Sequence, residues 1–153
     1  MEPKVVELGE FVVAGLDLPA TSSNPALILY GWVAFARRLA TIPDQVDPAR
    51  ILGLWHAAGE GNCRQYLVGV QVSSTTSLPD GLTAVTVPAG RYLRAVQVGD
   101  VGHIGSTYGQ IQQWVEMHPH EIGPNRTAPV IEVYDTRQAV DDGYQLEVFQ
   151  PLG

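Results

Sequence analysis

With 153 residues and 9 Lys+Arg against 16 Asp+Glu, the chain carries a net charge of −7, which argues against the clustered cations of a nucleic-acid-binding surface. Its 45% hydrophobic and 16% charged residues describe one packed domain or two small fused units, and exclude a disordered chain. The lone Cys63 excludes an internal disulfide and a cysteine metal cluster, and reads as a small apolar filler.

The opening MEPKVVELGEF has no basic segment leading into an apolar one, so no secretory signal is read. No apolar run approaches the roughly 18–20 residues of a spanning helix. A soluble cytoplasmic protein without membrane contact is the expectation. VVELGEFVVAGL reads as the first strand-like run. SNPALILYGWVAFARRLATIP follows as a helix, with Asn24 as N-cap and Pro25 at the first helical position. Ile28, Trp32, Phe35 and Leu39 recur at helical spacing, Arg37-Arg38 suits a solvated last turn, and Pro43 lies past the end.

RILGLWHA, RQYLVGVQV and RYLRAVQV are the next strand-like runs. GSTYGQIQQWVEMHP is the second helix, capped by Ser106 or Thr107, with Thr107 and Gln110 spaced as a capping box. VIEVYD and YQLEVFQP complete the strands, and Gly, Pro, Asn and Asp clusters separate the elements.

The order strand, helix, strand, strand occurs twice. Gly9, Phe11 and Ala14 fall on Gly90, Tyr92 and Ala95 at a shift of 81, and Asn24 and Trp32 on Ser106 and Trp114 at 82. Gly53–Trp55 falls on Glu132–Tyr134 at 79, as do Leu67 and Gln71 on Leu146 and Gln150. A near-constant shift signals duplicated units. The expected fold class is therefore α+β: two β-α-β-β units, about residues 1–78 and 79–153, within a single domain. Paired, they form one mostly antiparallel sheet with two helices and a groove at the pseudo-two-fold seam.

The segment PVIEVYD carries the most pointed chemistry. Ile131 and Val133 share one face of a strand, Glu132 and Tyr134 the other. Periodicity alone leaves two readings open, a solvated sheet face or a pocket for something positively charged. The repeat places Glu132 over Gly53 and Tyr134 over Trp55, so one half has a carboxylate where the other has a small residue. Trp32 and Trp114 read first as core packing, though Trp114 also suits the groove floor; Tyr92 and Tyr30 read as core or interface. Glu147 is either a second acid or an edge residue. In MHPHEIG, Pro119 breaks the helix between His118 and His120, so that stretch reads as a loop and not a metal site. His56 and His103 stand without a nucleophile at motif spacing, and GEGNC and VGDVGHIG are loops. No catalytic residue, metal or cofactor is assigned.

The chain resembles the GyrI-like small-molecule-binding family, whose domain is the effector-binding part of bacterial multidrug-sensing activators of the AraC and MerR types. The resemblance rests on ELGEFVVAGL, the helix around Trp32, VPAGRYLRAVQVG, YGQIQQWV, VIEVYD and LEVFQPL, which span almost the whole chain. It implies an aromatic groove with one acid, binding lipophilic or aromatic cationic small molecules. Glu132 matches the pocket acid and Tyr108 the tyrosine opening the second helix. Tyr134 and Phe149 would line the groove from neighbouring strands, and Tyr66 and Trp55 would form its first-half wall. Phe149 stands where relatives often have tyrosine, and no DNA-binding segment is read, so a stand-alone binding module is expected. A carboxylate left unpaired in such a groove costs several kcal/mol, and a cationic ligand would supply the partner. Alternatives on the same resemblance are a hydrolase of electrophilic toxins, with Glu132 as base and Tyr108 as donor, and a protein-binding module like the gyrase inhibitors. The sequence leaves a homodimer open.

Overall fold

The computed structural model describes residues 3–19, 25–57, 64–97, 104–123, 128–140 and 143–153. In chain order the elements are β1 (Lys4–Leu8), β2 (Phe11–Pro19), α1 (Pro25–Arg38), β3 (Arg50–Ala57), β4 (Arg64–Val72), β5 (Thr83–Val87), β6 (Gly90–Gln97), α2 (Ile104–Met117), β7 (Val130–Val140) and β8 (Gly143–Pro151). Short 3-10 turns, Leu39–Thr41 and Pro119–Glu121, follow the two helices. The expected cap Asn24, and Cys63 and His103, lie outside the described residues.

The α+β class and the two helices are as expected, but each half holds one more strand. VVELGEFVVAGL breaks at Gly9-Glu10 into β1 and β2, and the unanticipated TAVTV forms β5. All strands join one antiparallel sheet in the order β1-β6-β8-β7-β3-β4-β2-β5. Exchanging each strand of the first half for its counterpart four places later reverses this order into itself, which is a pseudo-two-fold axis between β3 and β7. The edge strands are swapped: β1 pairs with β6 of the other half, and β5 with β2.

That swap forces the sheet to curl. β1 lies at one end and β2 beside the other end, yet only Gly9-Glu10 connects them. Three peptide steps reach at most about 11 Å, so the two ends of the sheet must come together. The turn is tightest where Gly15 and Gly69 face each other across β2 and β4. A Cβ on Gly15 would stand 2.0 Å from the Val68 carbonyl oxygen, and one on Gly69 2.4 Å from that of Ala14. Inside the curl pack Val13, Leu52, Leu54, Leu67, Val87, Tyr92, Ile131, Val133 and Phe149. Each fully buried aliphatic there contributes roughly 1.5–3 kcal/mol.

The helices cover the other face. α1 packs on β2 and β4, α2 on β6 and β8. The strip between them, β3 and β7, is the seam of the two halves. Alternation along β7 sends Ile131 and Val133 into the curl and Val130 and Tyr134 toward the helices. In α2 the expected capping box is replaced. The helix begins at Ile104, so Thr107 lies in its first turn, buried, with its hydroxyl donating to Gln97 Oε1 at 2.8 Å. The side chain is committed to β6 and does not cap the helix.

Replacing Gly15 by Ala drives a methyl into backbone that cannot step aside, and destabilises the fold by about 1–3 kcal/mol. Urea denaturation followed by far-UV circular dichroism checks this; an unchanged midpoint contradicts the tight crossing.

Candidate functional site

On the seam, the side chain of Glu132 leaves β7 toward the helix-covered face and is only 4% exposed. The sequence led us to expect an unpaired carboxylate there. Instead four neutral donors converge on it. Tyr66 Oη donates to Oε1 at 2.9 Å and Tyr134 Oη to the same oxygen at 3.0 Å. Trp55 Nε1 donates to Oε2 at 3.1 Å and Tyr108 Oη to the same oxygen at 2.5 Å. Each carboxylate oxygen thus receives one donor from the first half and one from the second. Among the described residues no cation pairs with Glu132, so its polar atoms are satisfied while its charge is not cancelled.

Each donor has a local reason for its place. Tyr134 follows Glu132 by two on the same strand and therefore shares its face. Trp55 and Tyr66 are direct cross-strand partners on β3 and β4, their rings edge-to-face at 4.7 Å. Tyr108 descends from the first turns of α2. Trp32, which the helical stripe assigned to the core, packs from α1 against the cluster that contains Tyr66 and meets Tyr134 edge-on at 4.8 Å. The other half-buried rings at the site are Trp55, Tyr108 and Tyr134.

Gly53 makes the arrangement sterically possible. It pairs directly with Glu132, and a Cβ on it would stand 2.0 Å from the Tyr66 hydroxyl oxygen and 2.6 Å from the ring carbon bearing it. The 79-residue shift of the repeat exchanges Gly53 with Glu132, so the pseudo-two-fold axis runs between these two residues. Trp55 and Tyr134 are the symmetric pair flanking it; Tyr66 and Tyr108 have no counterparts among the four donors.

The remaining expected residues lie elsewhere. Phe149 does not join the groove: Val148 is the cross-strand neighbour of Glu132, and Phe149, one residue on, falls on the opposite face inside the curl. Glu147 shares that opposite face and is ion-paired with Arg94 at 2.7 Å. Trp114 packs with α2 in the second-half cluster and stacks on His118 at 4.1 Å, with no hydrogen bond to Glu132. Beside the site, a cavity of about 300 Å³ is lined by Tyr108, Ile111, Gln112, Val115, Glu116 and Gln150. Tyr108 belongs to both.

Burial is the first cause that raises the hydroxyls of Tyr66, Tyr108 and Tyr134 well above the ordinary phenol value; the adjacent Glu132 charge is the second. All three stay protonated donors throughout the physiological range.

Two β-β-α-β-β halves joined in one curled antiparallel sheet, with two helices on one face, define a GyrI-like effector-binding domain. The chain belongs to the Cass2 family of integron-associated effector binding proteins, whose family model matches residues 4–152. No curated protein sequence matches it. Solved structures that share the fold include the following three. SAV2435, solved bound to tetraphenylphosphonium, is 18% identical over 100% of this chain and 94% of its own, with a TM-score of 0.72. The EcmrR C-terminal domain is 16% identical over 99% and 97%, with a TM-score of 0.70. An integron cassette protein, VCH_CASS2, from the mobile metagenome of Vibrio cholerae, is 18% identical over 100% and 97%, with a TM-score of 0.63. Among the described residues no helix is long and apolar enough to cross a membrane.

The raised phenols fix the sign of an alkaline transition. The unfolded chain loses these protons near the ordinary value of 10.0 while the folded chain keeps them. Their contribution to stability is therefore whole below about pH 10 and is lost as pH climbs from there through the folded values. Four of the six tyrosines, including Tyr92, raised by burial alone, stay untitrated in absorbance at 295 nm near pH 11 until the chain unfolds. Titration of all six near pH 10 in the native protein contradicts this.

Proposed function

We propose that the chain binds lipophilic, aromatic cations in the groove at the seam, with Glu132 as the anionic anchor. The observation that carries this reading is a buried carboxylate satisfied by four neutral donors and paired with no described cation. Its field persists among aromatic faces, each of which attracts a cation by about 0.5–2 kcal/mol. A cation about 5 Å from the carboxylate gains roughly 3 kcal/mol at an effective dielectric of about 20. Flat rings give apolar contact without demanding one outline, so breadth of ligand shape is expected.

Two outside observations agree. The family is described as effector binding, and SAV2435, which shares the fold, was solved with the lipophilic cation tetraphenylphosphonium. The hydrolase alternative needs Glu132 to accept a proton from water, but its acceptor positions are already occupied. Binding without turnover is the better fit.

Glu132→Gln keeps the shape and removes the charge. Its affinity for tetraphenylphosphonium, followed by quenching of Trp55 and Trp32 fluorescence, falls at least about tenfold while circular dichroism stays native. Unchanged affinity in a folded variant refutes the anchor.

A further inference from the structure

We propose that the groove reads the charge of its ligand and not its hydrogen bonds, preferring quaternary cations over protonated amines, and that Gly53 and Tyr66 set this preference. The inference rests on the cation-binding reading above and specifies the ligand class within it.

An ionised carboxylate offers about four lone-pair positions. At Glu132 all are engaged, two donors on each oxygen, from Trp55, Tyr66, Tyr108 and Tyr134. A protonated amine drawn to this charge leaves water with an N–H that finds no vacant acceptor on the carboxylate, and a buried donor that is left without its ionic partner is penalised. A quaternary ammonium or phosphonium brings the same charge and no N–H. It loses nothing.

The fourth donor is the adjustable one. Tyr66 reaches Oε1 only because position 53 has no side chain, since a Cβ there would overlap its hydroxyl. Gly53 is also the residue that the repeat exchanges with Glu132. The absence of a side chain opposite the acid is thus converted into one more donor, which closes the last lone pair on Oε1. Tyr66→Phe reopens that lone pair without disturbing packing, and Gly53→Ala reopens it by displacing the hydroxyl.

The test compares benzyltrimethylammonium with benzyldimethylammonium, which is protonated at pH 7 and differs by one methyl replaced by one N–H. Isothermal titration calorimetry on the wild type, Tyr66→Phe and Gly53→Ala gives the affinity ratio in each, and the methyl contribution cancels between variants. The wild type prefers the quaternary probe by about tenfold, equivalent to about 1.4 kcal/mol, and both variants narrow that ratio at least about threefold. Should Gly53→Ala fail to fold, Tyr66→Phe decides alone. A ratio near one in the wild type, or an unchanged ratio in folded Tyr66→Phe, overturns the inference and leaves the cation-binding reading standing. Failure of both probes and of tetraphenylphosphonium to bind the wild type overturns both.

Discussion

A carboxylate taken out of water must be compensated, and the way Glu132 is compensated organises the molecule around it. An arginine or lysine in this position would have cancelled the charge together with its polar demand. Four neutral donors meet the demand and leave the charge in place. They come from β3, β4, α2 and β7, two from each half. The acid is satisfied only when both halves are assembled in register. Hydrogen bonds to an ionised group are about twice as strong as neutral ones, so the seam is held by the same group that gives it its field.

Near-symmetry explains why there is one acid. A residue on the pseudo-two-fold axis faces its own counterpart across β3 and β7, and two glutamates there would put like charges side by side. Glycine at position 53 removes the conflict and yields its space to the Tyr66 hydroxyl. The symmetric pair Trp55 and Tyr134 keeps the groove aromatic on both flanks, while Tyr66 and Tyr108 supply the donors that symmetry does not. The fold is duplicated; the site is not.

Much of this was legible in the chain. Spacing at Trp32 and Phe35 gave the first helix, the polar start at Ser106-Thr107 and the break at Pro119 bounded the second, and the near-constant shift gave the paired architecture. The i, i+2 spacing of Glu132 and Tyr134 gave their common face. Other features depend on register, which sequence does not state. Phe149 is a single residue away from the strand partner of Glu132, and in a sheet one residue is the difference between two faces. β5 is short and runs into Pro88-Ala89-Gly90, so its alternation was masked by turn residues. Trp32 does pack against the core, as its place in the helical stripe implied, but a stripe says which side of α1 is apolar and not which ring it meets. That Glu132 is fully hydrogen-bonded is a three-dimensional fact, assembled from residues up to 77 positions apart.

The swapped edge strands bear on how such a groove can accommodate different guests. With β1 paired to β6 and β5 to β2, each half is bound to the other at both ends of the sheet as well as at the seam. The halves cannot swing apart like jaws, since any hinge at β3 and β7 would have to tear two further ladders. Any change in the width of the site therefore comes from side-chain torsions of the aromatic rings over a backbone of fixed width, a matter of rotamers and not of domain movement.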